Sequence, residues 1–189
     1  LQYSIAFLDT LGYEMIGMDH FAKKGDELFK AIQKGELKRN FQGYTTKGGS
    51  DTIGIGLTSI GEGEDYYAQN FKDLESYEKA IDDGRLPLFR GVRLNSDDRI
   101  RKDVIMTLMC NFSLTYKKIE DKFGINFKEY FKDSLNELSE FIDAGLLEMD
   151  DEGISINKTG SMLVRNIVIP FDTYHKKYQG NSNTFSKTV

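Results

Sequence analysis

Three groups of residues have the types and spacing to do chemistry. The string GMDHFA sets a carboxylate and an imidazole side by side, at Asp19 and His20. A carboxylate next to a histidine orients the ring, an arrangement suited to acid–base work, and the same pair also serves simply to close a strand. Lys38, Arg39 and Lys47 flank one loop. In a chain of net charge -5, such a cluster is suited to a carboxylate-rich ligand, although lysines are common on any surface. The third group is the stretch from Arg39 to Gly63, RNFQGYTTKGGSDTIGIGLTSIGEG, with glycines in both halves.

Two phosphate-binding patterns can be tested on that stretch, and both fail. A P-loop needs a lysine directly after its second glycine, to reach the terminal phosphates. Gly43 and Gly48 have the spacing, but Gly49 stands where the lysine is required. The dinucleotide pattern G-x-G-x-x-G matches at Gly54 and Gly56 and breaks at Ser59. The stretch then reads as a glycine-rich loop feeding a buried strand over 52–60, of the kind found in parallel sheets.

The remaining reactive side chains are few. Cys110 is the sole cysteine; it forms no internal disulfide and cannot hold a zinc ion or an iron–sulfur cluster alone. Its neighbours Met109 and Asn111 put it in an apolar pattern, so packing is its expected role, and a reducing cytoplasm the expected compartment. His175 lies in a charged stretch and reads as solvated. With a pI of about 5.2 the chain carries no electrostatic footprint for nucleic acid. It has no run of ~20 apolar residues and no visible signal peptide.

The elements that must position these groups follow from hydrophobic period. Leu1, Ile5, Leu8 and Leu11 have helical spacing, so the chain reads as starting inside a helix, as a piece of a longer protein would. Residues 13–22 read as one short buried strand with Asp19 and His20 at its end. Residues 23–37 read as a surface helix, 52–60 as the strand already described, and 65–84 as a helix closed by Gly84. This is α/β alternation with too few strands for a sheet of its own. Residues 84–95, with Pro87 and two glycines, read as a boundary, giving a first unit over 1–90 and a second over 91–180.

Beyond the boundary the pattern is mostly helical. Asn95 is placed to cap a helix whose stripe is Ile100, Val104, Ile105, Leu108, Met109 and Phe112. A short helix over 115–123 and a longer one over 126–144 follow, the latter with Phe127, Phe131, Leu135, Leu138 and Ile142 inward. A β-hairpin around Asp151–Gly153 comes next, then a last helix carrying Leu163 and Ile167 and interrupted by Pro170. The tail 181–189 reads as flexible. Three helices and a hairpin make a winged-helix-like arrangement. Its third helix and wing are acidic, the wrong sign for DNA, so a packing or covering module is expected.

Several strings, in order, carry a specific likeness: GMDHFAKKGDEL, RNFQGYTT, YAQN, MCNF, VRNI and FDTY. Together they resemble the C-terminal part of the oxygen-independent coproporphyrinogen III oxidases (dehydrogenases), radical S-adenosylmethionine enzymes of haem biosynthesis. RNFQGYTT sets the chain apart from the related haem chaperones. The resemblance implies an incomplete β/α barrel carrying a [4Fe–4S] cluster, covered by a helical C-terminal domain. It implies a 5'-deoxyadenosyl radical that abstracts hydrogen from propionates of coproporphyrinogen III, with an electron donor and an electron acceptor as further partners. Phe41, Gln42 and Ile60 would contact S-adenosylmethionine, Ile60 closing the last barrel strand. Lys38, Arg39 and Lys47 would help neutralise substrate propionates, and Asp19 and His20 would support the site. The cluster motif C-x-x-x-C-x-x-C is missing from this sequence, so the chain alone is expected to bind no cluster and to be inactive. Without the resemblance, the competing reading is a non-catalytic binding or regulatory module.

Overall fold

The computed structural model describes residues 2–178. Helix α1 (Gln2–Thr10) is followed by Gly12 in the left-handed region, at φ +78. Strands β1 (Tyr13–Gly17) and β2 (His20–Lys23) then form an antiparallel hairpin, not the single strand expected over 13–22. Met18, at φ 46, turns the chain. Asp19 therefore sits in the turn and His20 opens β2. Helix α2 (Glu27–Gln33) is capped by Asp26, whose carboxylate accepts the Leu28 N–H at 2.8 Å.

A second hairpin, β3 (Lys38–Asn40) and β4 (Gly43–Thr45), carries Phe41 and Gln42 at its tip. The expected buried strand over 52–60 does not form. Thr52 makes one isolated bridge with Glu62, while Ile53 and Ile55 are 80% and 85% exposed. Side chains alternate along extended backbone, and here the glycines take the inward positions. A Cβ on Gly54 would lie 3.1 Å from the Gly61 nitrogen, so only a glycine lets this backbone approach its neighbour, and the isoleucines face out. Gly56 at φ +94 and Thr58 at φ +61 then end the extension.

Three antiparallel strands follow in the order β5 (Ile60–Glu62), β6 (Tyr66–Asn70), β7 (Leu88–Arg93), with helix α3 (Leu74–Asp82) between the last two. The helix expected over 65–84 is thus a strand and then a helix. Asp73 caps α3 through the Ser76 N–H, and Gly84 at φ +68 ends it where expected. β7 runs through position 90, where the sequence reads as a connector. All the strand pairings among the described residues are antiparallel, in four small sheets with no closed barrel; the parallel arrangement is overturned.

Helix α4 (Ser96–Asn111) opens on a capping box: Asn95 accepts the Asp98 N–H at 2.9 Å and Asp98 accepts the Asn95 N–H at 3.0 Å. Strand β8 (Ser113–Thr115) leads into α5 (Tyr116–Phe123), closed by Gly124 at φ +68. The single helix expected over 126–144 is three short ones, α6 (Phe127–Tyr130), α7 (Lys132–Glu137) and α8 (Ser139–Asp143). The breaks fall at Phe131 and Leu138, both fully buried; bending there turns each side chain into the core. β9 (Leu147–Met149) and β10 (Gly153–Ile156) form the expected hairpin, and β10 also pairs with β8.

Helices α9 (Lys158–Ser161) and α10 (Val164–Val168) follow, then a 3-10 turn (Ile169–Phe171) and α11 (Thr173–Tyr178). Pro170 ends the helix as expected, sitting at the start of the 3-10 turn where its missing N–H costs little. Leu163, expected inward, is 37% exposed, and Val164 and Val168 take the inward places beside Ile167. The expected tail 181–189 lies outside the described residues. Among those residues no helix is long and apolar enough to cross a membrane.

One large core, including Phe127, Phe131, Leu138, Leu108 and Phe171, is built almost wholly from residues after 99; Met18 is the contribution of the first hairpin. A small second core joins Ile16, Ala22, Ala31 and Leu37 to Cys110 of α4. The first hairpins therefore hang on α4.

Candidate functional site

The β3–β4 turn is tied down locally, because Asn40 accepts the Gln42 N–H at 2.8 Å. It presents Phe41, 58% exposed, and an exposed Gln42. The Phe41 ring meets the Tyr67 ring edge to face, at 5.3 Å and 84°. Tyr67 of β6 lies opposite Glu62, and the next pair on that face is Gln69 opposite Ile60. Ile60 and Tyr67 thus share one face of the sheet, and Phe41 reaches that face through Tyr67. Ile60 opens β5 instead of closing a strand, which corrects its expected place but leaves it on this wall.

Beside the wall is a cleft of about 500 Å³, lined by Lys38, Arg39 and Lys47 together. Other cations there are already matched: Lys102 with Glu62 at 2.8 Å, Lys122 with Asp103 at 2.9 Å, and Arg99 with Glu64 at 3.6 Å. Lys38, Arg39 and Lys47 make no ion pair among the described residues, so the cleft concentrates positive charge in an acidic chain. The Arg39 guanidinium lies 5.9 Å from the Tyr44 ring, and its Nε is shielded from solvent with no hydrogen-bond partner in the described structure. A donor left in that state costs about 1–3 kcal/mol and favours an oxyanion. The Lys38 stem packs against Gly48, where a Cβ would overlap it.

Tyr67 and Lys102 are the residues sequence reasoning missed. The Lys102 Nζ stands 4.5 Å from the centre of the Tyr67 ring. Burial pushes the Tyr67 hydroxyl pKa up, against the pull of Lys102. Burial alone would lower Lys102, but its bonds to Glu62 and Tyr67 outweigh that and raise it. Tyr67 stands in the string YAQN. Lys102 lies off the apolar stripe of α4, and nothing in the spacing marks it.

Asp19 and His20 do pair, Oδ1 to Nδ1 at 2.9 Å. Asp19 is held below the usual carboxylate range, first by its own backbone N–H and then by His20, against a small burial cost. The His20 ring stands edge-on to Tyr44 at 5.0 Å, which places the pair behind the β3–β4 hairpin. Tyr44 donates to the Met109 carbonyl at 3.4 Å, and burial pushes its hydroxyl up to about 12. His175, expected to be solvated, is half-buried, and its backbone N–H donates to Asp172 at 3.2 Å.

An iron–sulfur cluster does not fit the residues present. Cys110 is fully buried, with its thiol pushed up to about 11 by burial, and no three histidine, cysteine or acidic residues group for a metal among the described residues. The Phe41 turn and the sheet face it meets at Tyr67 present an exposed aromatic ring, an amide with both donor and acceptor and, on the sheet, an aliphatic side chain.

Residues 94–163 match the family model of the HemN C-terminal domain. Over all 189 residues the chain is 54% identical to the oxygen-independent coproporphyrinogen III oxidase of Helicobacter pylori strain 26695 and 44% identical to that of Escherichia coli K12, covering 41% of each. Among solved structures it is similar to coproporphyrinogen III oxidase (HemN) from Escherichia coli, described as a radical SAM enzyme. The TM-score is 0.89 at 46% identity, over 92% of this chain and 40% of that one. The chain therefore spans about two fifths of the length of these relatives. At these identities the full length of the chain is similar to part of the oxygen-independent coproporphyrinogen III oxidases.

Proposed function

We propose that this chain is part of an enzyme that converts two propionates of coproporphyrinogen III to vinyl groups, giving protoporphyrinogen IX for haem synthesis in the cytoplasm. Each propionate loses a hydrogen atom, carbon dioxide and one electron, which passes to an acceptor. The observation that carries the reading is identity of 54% sustained over the whole chain. S-adenosylmethionine, with a reduced [4Fe–4S] cluster held by other parts of the polypeptide, supplies the hydrogen-abstracting chemistry when bound; an electron donor reduces the cluster.

Within that enzyme, Phe41, Gln42 and Ile60 form a wall against S-adenosylmethionine. Phe41 packs on the ligand's apolar surface, Gln42 offers a hydrogen bond, and Ile60 excludes water. Lys38, Arg39 and Lys47 neutralise propionate carboxylates in the neighbouring cleft. Asp19 and His20 support the turn from behind, through Tyr44. Residues 1–90 read as the closing portion of an incomplete β/α barrel, and 91–180 as a winged-helix-like cover that binds no nucleic acid.

The test is anaerobic turnover of coproporphyrinogen III by the full-length protein with S-adenosylmethionine. Release of carbon dioxide with vinyl products is expected, and S-adenosylmethionine consumption without decarboxylation would refute the substrate. The 189-residue chain alone, reconstituted with iron and sulfide, should show no stoichiometric cluster spectrum.

A further inference from the structure

Phe41 sits on a two-residue turn between two three-residue strands, and its ring is mostly exposed. Such a side chain has several rotamers within reach, so its orientation must come from what it touches. That contact is Tyr67. The Tyr67 ring in turn carries the Lys102 ammonium 4.5 Å from its centroid. A lysine head is mobile unless held, and here it is held: Glu62 at 2.8 Å and the Gly63 carbonyl at 3.4 Å. The Lys102 and Glu62 side chains are only 24% and 14% exposed, so solvent screens them little. The neighbouring Arg99–Glu64 pair is 43% and 87% exposed and has no comparable hold.

We infer that Lys102 of α4 is a positioning residue for the adenosylmethionine wall: with Glu62 it fixes the Tyr67 ring against which Phe41 rests. The C-terminal region thereby acts on the cofactor site through one side chain, beyond covering it. The inference rests on the proposed contact of Phe41 with S-adenosylmethionine. A merely structural Lys102 would tack α4 to the sheet and alter unfolding alone.

The experiment uses the full-length enzyme and measures S-adenosylmethionine affinity by anaerobic equilibrium dialysis, with Tm in parallel. Lys102→Met should weaken binding roughly threefold, the scale of a cation–π contact. Lys102→Arg should restore most of the affinity, and Tyr67→Phe, which keeps the ring, should bind nearly as the wild type does. Combining Lys102→Met with Phe41→Ala should weaken binding no further than Phe41→Ala does. Should Lys102→Met fail to fold, Glu62→Gln frees the ammonium without removing it and should weaken binding in the same sense. Wild-type affinity in Lys102→Met (or in Glu62→Gln, where that variant stands in) beside weakened affinity in Phe41→Ala overturns the inference and leaves the Phe41 assignment intact. An additive loss in the double variant overturns it too. Wild-type affinity in Phe41→Ala overturns the assignment itself, and the inference with it.

Discussion

Residues after 94 bury their large apolar side chains around one core, whereas residues before 94 leave many of theirs in water. Phe127, Phe131, Leu138 and Phe171 are fully enclosed, while Phe41, Ile53, Ile55, Leu86 and Phe89 are more than half exposed. The first region keeps its order by attachment to the second. Tyr44 bonds to Met109, Asn111 donates to the Leu37 carbonyl at 3.4 Å, and Lys102 meets Glu62. The contrast separates two tasks. A region that must be stable spends its apolar residues inward. A region that must meet a ligand or further polypeptide keeps them outward and borrows its rigidity.

The sharpest way to break this comparison is by truncating one side chain in each region. Phe127→Ala should cost about 3–5 kcal/mol in urea unfolding, because it empties a closed core. Ile55→Ser should stay within about 0.5 kcal/mol, because it touches little; a large loss there would mean that the glycine-rich stretch packs its isoleucines inward. Next in size, Arg39→Ala in the full-length enzyme should raise the substrate KM roughly tenfold, the scale of one charge-assisted hydrogen bond, with Tm little changed. Unchanged kinetics for Lys38→Ala, Arg39→Ala and Lys47→Ala alike would remove the cleft from the substrate site. Asn95→Ala should cost about 1 kcal/mol through loss of the capping box, and it should loosen Lys102, about two turns beyond that cap, along with α4.

Alkaline pH probes the junction between the regions. Burial pushes Cys110 up to about 11, and Tyr44 and Tyr116 up to about 12. In the unfolded chain these groups lose their protons near 9 and 10. The unfolded state therefore binds fewer protons above pH 9, and stability falls as pH rises. The contribution should be intact below pH 9 and lost by about pH 12, read as a falling Tm. Tyr44→Phe should flatten the fall.

Legibility in the sequence followed the same division. The apolar stripe of α4, its Asn95 cap, the hairpin at 147–156 and the stop at Pro170 are written in period and punctuation, because burial there is one-sided and local. The two breaks between 126 and 144 are not, since only tertiary packing decides that Phe131 and Leu138 bend the chain. In the first region the glycine-rich stretch misled. Apolar residues between glycines read as a buried strand, yet close backbone approach at Gly54 turned Ile53 and Ile55 outward. Tyr66–Asn70 carries helical spacing by coincidence, and pairing on both sides made it a strand. Lys38, Arg39 and Lys47 were legible as a cluster and line one cleft; Lys102, their neighbour from α4, is distant in sequence and was not.

The central claim is that the Phe41 turn is one wall of an adenosylmethionine site carried on the first region and steadied by the second. Phe41→Ala in the full-length enzyme, assayed by anaerobic equilibrium dialysis against S-adenosylmethionine, tests it most directly. The account predicts roughly tenfold weaker binding, the scale of a lost aromatic contact, with Tm and the visible spectrum of the cluster unchanged. Wild-type affinity in that variant would contradict it.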